Sequence, residues 1–246
     1  VLAMPNGNVI LLDEPGKPKP NSKGFSIVPN EKGYFATLFT SVALESSISK
    51  SEQKLWNDYL DRFLPDKSYR RYVQKVLGYI LIGGNPDRKS IWLVGPSSTG
   101  KSTILHALEE TLSGYGATFQ PNSVLKESTS NNNPELGNLL FKRAIFSSEL
   151  GGQRISSEVF KQITGCDNIS ITRKWANEQI YGTPHFTMVV ATNNPPSIND
   201  MDQATIRRII VCPFETQVSS KDDDKRADVK LGREAKHAVL SWLVYG

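Results

Sequence analysis

The sequence predicts an α/β protein whose central, mainly parallel sheet is flanked by helices and preceded by a small helical region. Three observations predict it. From Lys89 onward, apolar runs of strand length alternate with segments of helix length, the texture of strands joined by helical crossovers. Residues 95–102 read GPSSTGKS, directly after the apolar run 91–94 and before the helix-like stretch 103–110, so a glycine-rich turn joins a strand to a helix. Upstream, Leu55, Trp56, Tyr59, Leu60 and Phe63 recur at helical spacing.

In chain order, residues 1–45 are an N-terminal extension. There Val9, Ile10, Leu11 and Leu12 predict a short strand or hairpin, and the Pro/Lys/Gly-rich stretch 14–24 a flexible loop. Residues 46–88 are a helical collar or oligomerisation region, interrupted at Pro65, resuming over 69–82 and stopped by Gly83 and Gly84. The aromatic stripe within it reads as helix packing. Residues 89–216 carry the core, with strands expected at 91–94, 143–147, 169–172, 187–191 and 209–213, and helices at 101–112 and about 154–164. The Ser/Thr/Asn-rich stretch 122–134 reads as a mobile surface loop. Residues 217–246 are a linker, with the charged run 221–226, and a helix over 233–245. No internal repeat is visible.

At 246 residues the chain can hold one large domain or a core with a smaller companion. Its 38% hydrophobic and 22% charged residues are those of a soluble globular protein. No apolar run approaches a membrane span and no signal-peptide pattern opens the chain, so no membrane partner is expected. Cys166 and Cys212 lack metal-ligand spacing and read as buried small hydrophobes in a reducing compartment. A net charge of +4 permits nucleic-acid binding without arguing for it. Because the chain begins at Val1 and ends in an apolar stretch, it is expected to be a fragment of a longer protein.

The eight-residue motif points to phosphate chemistry. Gly95 and Gly100 allow backbone angles that turn successive N–H groups toward phosphate oxygens. The following helix aims its positive dipole end at the same anion. Lys101 would reach the β- and γ-phosphates and the Ser102 hydroxyl would sit on Mg²⁺. The candidate nucleotide contacts are therefore Gly95, Pro96, Ser97, Ser98, Thr99, Gly100, Lys101, Ser102 and Thr103, with ATP or GTP as the ligand their residue types imply.

Hydrolysis needs more than a cradle. Glu149 ends the strand-like run AIFSSE and is the candidate general base. Ser148 stands before it where many such ATPases carry Asp, so metal support falls on Ser102, waters and Glu149. Asn193, with Asn194 as the alternative, follows the run 187–191 and could hydrogen-bond the attacking water or the γ-phosphate. Arg207 and Arg208 stand at a helix-to-strand junction, and a planar guanidinium suits the spread charge of a transferring phosphoryl group. If one reaches a neighbouring subunit's nucleotide, hydrolysis requires a head-to-tail ring; the other reads as a structural partner.

The ordered set GPSSTGKS, IFSSE, FKQITGCD-x-I-x-x-x-RK, VVATNNPP and ATIRRIIVCPF resembles superfamily 3 helicases, most of all the phage, plasmid and poxvirus primase–helicases. The resemblance runs over roughly 90–216. It implies an AAA+ P-loop NTPase fold, a homo-hexameric ring, and ATP- and Mg²⁺-dependent movement along single-stranded or forked duplex DNA, typically 3′→5′. The segment between Glu149 and Asn193 would form a DNA-binding hairpin, with Lys174 at the position of a channel lysine, Arg173 beside it, and Trp175 where relatives often carry His. Lys161 matches a family position near the nucleotide interface. Gly165-Cys166-Asp167 departs from the usual Gly-Gly-Asp, so that turn can differ in shape. A primase or polymerase domain is implied elsewhere in the full-length protein, and a host cell's cytoplasm as the setting if the source is a virus or phage. Two alternatives stay open: a packaging or remodelling ATPase, and a replication initiator that binds ATP without turning it over.

Overall fold

The computed structural model describes residues 1–13, 23–31, 36–125, 134–148, 154–165, 167–172, 179–194, 197–199, 202–218 and 226–246. Three short strands open the chain: β1 (Leu2–Ala3), β2 (Asn8–Leu12) and β3 (Phe25–Pro29). They form an antiparallel sheet in chain order, a strand longer than the hairpin that the sequence predicts. Helices α1 (Lys50–Phe63) and α2 (Lys67–Gly78) follow on either side of Pro65. Each has a side-chain cap: the Ser49 hydroxyl accepts from the Glu52 N–H, and the Asp66 carboxylate from the N–H groups of Ser68 and Tyr69.

The rest of the chain alternates strands and helices: β4 (Ser90–Val94), α3 (Lys101–Leu112), β5 (Gly116–Thr118), α4 (Pro121–Val124), α5 (Pro134–Leu139), β6 (Ala144–Ser147), β7 (Arg154–Ser156), α6 (Ser157–Thr164), β8 (Ile169–Thr172), β9 (Gln179–Gly182), β10 (Thr187–Thr192), β11 (Ser197–Asn199), α7 (Gln203–Ile206), β12 (Ile209–Pro213), α8 (Ala227–Glu234) and α9 (Lys236–Val244). Five of the strands make a central sheet in the order β12-β4-β10-β6-β5, parallel throughout.

The inner strands β4, β10 and β6 are buried on both faces, and their alternate residues serve different cores. Ile91 and Leu93 of β4, Val189 and Ala191 of β10, and Ala144 and Phe146 of β6 join one cluster with α3, α8, α9 and the upstream helices. Trp92, Met188, Val190 and Ile145 point to the other, closed by Phe119, Leu140, Phe160 and Ile163. Helices α1 and α2 thus share a core with the sheet: Trp56 stacks on Tyr59 and meets the edge of Trp242 from α9, each at 5.3 Å between ring centroids.

Three sequence expectations need correction. Residues 169–172 are not a strand of the central sheet; β8 pairs antiparallel with β9 as a separate hairpin. The sheet's edge is instead β5, a three-residue Gly-Ala-Thr segment too short to carry a pattern. The helix expected from about 154 begins at Ser157, because Arg154–Ser156 pairs with β11, and the C-terminal helical stretch is two helices divided at Ala235.

Candidate active site

Strand β4 lies between β12 and β10, and its carboxyl end runs into the loop 95–100. Both neighbours hold the root of that loop: the Gly95 N–H donates to the Thr192 carbonyl at 3.2 Å, and the Phe214 N–H to the Val94 carbonyl at 2.7 Å. A Cβ on Gly95 would stand 1.8 Å from the Phe214 carbonyl oxygen, so the approach admits only glycine. Gly100 sits in the left-handed region at φ +81°, the residue before α3 begins. The Phe63 ring lies against it, 2.7 Å from where a Cβ would be, and the Tyr59 hydroxyl donates to its carbonyl at 3.0 Å.

Lys101 is only 5% exposed. Its ammonium donates to the carbonyls of Gly95 (2.7 Å) and Pro96 (2.5 Å) and to the Thr99 hydroxyl (3.0 Å). Burial lowers its pKa from the ordinary lysine value. All three acceptors are neutral, so the cation has hydrogen bonds but no counter-charge among them, and an arriving anion would supply it. Thr99 is buried and its hydroxyl donates to the Pro96 carbonyl at 3.0 Å. Pro96, Ser97 and Ser98 form the exposed lip, with Ser98 at φ +60°. Ser102 is exposed and Thr103 half-buried in the first turn of α3, where N–H groups and helix dipole favour an anion.

The structure brings Asn193 to this loop. Its side-chain amide donates to the Ser97 hydroxyl at 3.2 Å. Asn194 instead turns its carbonyl to the Thr192 hydroxyl at 2.5 Å, which separates the two candidates. Two contacts that the sequence did not single out finish the rim: the Gln217 side chain donates to the Ser97 carbonyl (3.3 Å) and the Val218 N–H to the Ser98 carbonyl (3.0 Å).

Arg207 and Arg208 are not brought there. Parallel pairing sets Ile209 opposite Ser90, so both arginines stand at the amino end of the sheet while Gly95 stands at its carboxyl end. At about 3.3 Å per residue, the strand between them spans roughly 16 Å. The two also differ: the Arg208 guanidinium donates to the Ala204 carbonyl at 2.7 Å, whereas Arg207 is exposed. Lys161 pairs with Asp202 at 2.9 Å, and Asp202 caps α7. The Lys161 ammonium and the Thr205 N–H together hold the Asp202 carboxyl below the usual carboxylate range.

Glu149, Arg173, Lys174 and Trp175 lie outside the described residues. The element leading to Glu149 is described: β6 ends at Ser147, paired with Val190, on the same edge of the sheet as the loop. The ends flanking 173–178 are described too, since Thr172 pairs with Gln179. Among the described residues no group of three or more His, Cys, Asp or Glu side chains could hold a metal ion. The Ser102 hydroxyl, exposed in the first turn of α3, could hold a Mg²⁺ carried in on phosphate oxygens.

A family of unknown function, DUF5906, matches residues 93–208. Over 187 residues the chain is 29% identical to a protein of Acanthamoeba polyphaga mimivirus named putative helicase L207/L206, covering 74% of this chain and 19% of that one. It is 29% identical over 173 residues to putative helicase 022R of Frog virus 3, covering 68% and 18%. Primase D5 of Fowlpox virus is 22% identical over 200 residues, covering 77% and 25%. The chain thus spans about a fifth of the length of these curated relatives. In fold it is similar to the NrS-1 C terminal region, with a TM-score of 0.57 at 15% identity over 83% of this chain and 47% of that one. It is also similar to the JCV helicase, with a TM-score of 0.53 at 14% identity over 81% and 55%. The sequence and the five-stranded parallel sheet agree: over most of its length the chain is a relative of viral proteins named helicase and primase, with the fold of solved helicase structures.

Proposed function

We propose that this chain is the motor portion of an ATP-hydrolysing DNA helicase that works as a ring, hexameric by its resemblance, with nucleotide sites between subunits. The observation that carries the reading is Lys101, buried among neutral oxygens at the mouth of β4 with Asn193 beside it, while the arginine pair sits at the far end of the same sheet.

Lys101 and the loop N–H groups bind and orient the phosphates. Asn193, already hydrogen-bonded to the lip of the loop, positions the attacking water or the γ-phosphate. Glu149 takes the proton from that water. Mg²⁺, held by Ser102 and Glu149, would neutralise charge on the phosphate oxygens. The strand that separates Arg207 from the loop of its own subunit supports action on the nucleotide of a neighbour, and the exposed guanidinium is free to reach outward. The segment 173–178, between β8 and β9, carries Arg173, Lys174 and Trp175 to single-stranded DNA through phosphate charge and aromatic packing. Residues 46–88 are the collar of this proposal, 89–216 its ATPase core, and 217–246 its tail. A viral setting in host cytoplasm, and a primase or polymerase domain in the longer protein, complete the reading.

ATPase assays with and without single-stranded DNA test it. Glu149→Gln is expected to keep nucleotide binding and lose turnover, and Lys174→Ala to keep basal turnover and lose DNA stimulation. Full turnover by the first variant, or unchanged stimulation in the second, removes that residue's assignment.

A further inference from the structure

A cleft of about 370 Å³ opens beside the phosphate loop, lined by Phe63, Pro65, Tyr69, Pro213, Glu215 and Thr216. Phe63 is shared: its ring also packs against Gly100. The far wall is the chain leaving β12, whose Phe214 touches Gly95. One hydrogen bond ties the two walls, from the Tyr69 hydroxyl to the Pro213 carbonyl at 2.9 Å.

We infer that this cleft receives the base of the nucleotide whose phosphates the loop holds, and that Glu215 accepts a hydrogen bond from an exocyclic amino group of that base. The inference rests on the phosphate-loop reading and adds the direction in which the nucleotide lies. Strand order supplies it. Asn193, at the tip of β10, lies on one side of β4, and the water and γ-phosphate belong there. The nucleoside must then extend to the opposite side, which is the β12 side, where the cleft is.

Its chemistry fits a base and not a further phosphate. Phe63, Pro65, Tyr69 and Pro213 offer flat apolar surface of the kind on which a purine packs. The titratable carboxylates at the cleft, Asp66 and Glu215, would repel an anion but accept from an amino group. Asp66 is engaged as the cap of α2, which leaves Glu215, on the exposed rim, as the reader. A volume of about 370 Å³ falls within the range of small-molecule sites. A second cleft, on the α8 side of Phe63, holds about 180 Å³, below the usual range for such sites, and sets Asp58 beside the cations Arg62 and Lys230, so its charge is mixed and gives no acceptor bias.

Calorimetric titration with Mg·ATP, Mg·ITP and inorganic tripolyphosphate tests the inference. Thr216→Trp, which fills the cleft, is expected to weaken ATP about tenfold or more and leave tripolyphosphate within about twofold. Glu215→Gln, on the exposed rim, is expected to cut the preference for ATP over ITP about fivefold, because the new amide can donate to the inosine oxygen. An equal loss of ATP and tripolyphosphate in Thr216→Trp overturns the cleft as the base site. So does a wild-type chain that binds ATP no more tightly than tripolyphosphate, although the phosphate loop then stands. A wild-type chain that binds neither overturns the phosphate-loop reading and the cleft with it. Should Thr216→Trp unfold, Glu215→Gln decides alone, and an unchanged ATP:ITP ratio overturns the assignment.

Discussion

At the carboxyl ends of β4 and β10 nearly every group of the candidate phosphate loop is already held: Gly95 by Thr192, Val94 before it by Phe214, Gly100 by Tyr59 and Phe63, Lys101 by three oxygens, Ser97 by Asn193 and Gln217. At the amino ends of the same strands Arg208 is tied to Ala204 but Arg207 is exposed, and Lys161 meets Asp202 on the surface. The proposed function gives the two ends different tasks. A loop that takes phosphate gains from being preorganised, because geometry fixed by folding is not paid for on binding. A group that must act on another subunit's ligand can complete its contacts only when that subunit arrives.

The strongest way to break this contrast is Gly95→Ala. The new Cβ would meet the Phe214 carbonyl at 1.8 Å, backbone against backbone, with no flexible side chain to yield. A loss of about 3 kcal/mol or more of stability is expected, together with loss of ATP binding. Gly7→Ala is the control, since its Cβ would meet nothing within 4 Å and only the φ of +78° opposes it; about 1 kcal/mol is expected there. Chemical denaturation with nucleotide titration measures both. A Gly95→Ala chain that folds and binds ATP normally would show that the loop is not over-determined.

Arg207→Ala and Arg208→Ala probe the other end. Arg207→Ala should leave stability within about 0.5 kcal/mol of wild type and cut hydrolysis by about 10³-fold. Arg208→Ala removes the bond to the Ala204 carbonyl and should cost about 1 kcal/mol of stability, with the smaller effect on turnover. Mixing inactive Arg207→Ala with inactive Lys101→Ala chains should restore part of the activity, because some interfaces in mixed rings pair an intact loop with an intact arginine. No recovery, with mixed assemblies shown to form, would sink the action between subunits.

The phosphate loop was legible because its chemistry is contiguous: eight residues specify turn, cation and helix start. The distance from Arg207 to that loop was not, because it depends on which strands pair and in which direction. The spacing of Tyr59 and Phe63 predicts helix packing and does give a helical face. It cannot say that the face looks onto Gly100. Residues 169–172 do carry a signal against the central sheet. Central strands read as continuous apolar runs such as IWLV and MVVA, whereas ISIT alternates, the mark of a strand covered on one side only. The role inferred for Glu215 has no sequence signal, since its neighbours in the cleft come from a helix junction some 150 residues upstream.

Tyr59→Phe gives the smallest effect and the sharpest reading of what holds the loop. The change keeps the stack on Trp56 and the packing beside Phe63, and removes only the hydroxyl that donates to the Gly100 carbonyl. Tyr59 is buried, so that carbonyl loses a donor which solvent replaces poorly, and about 1 kcal/mol of stability should go. If Gly100's left-handed geometry is what keeps the loop open to phosphate, ATP affinity should fall a few-fold in the same variant. Tyr69→Phe removes a hydroxyl from the more exposed Pro213 carbonyl and should cost less. Equal stability losses with unchanged ATP affinity would mean that strand ends alone hold the loop, and that α1 merely covers it. A larger effect of Tyr59→Phe on affinity than on stability would make the upstream helix part of the nucleotide site, joined to the phosphate cradle through one hydroxyl.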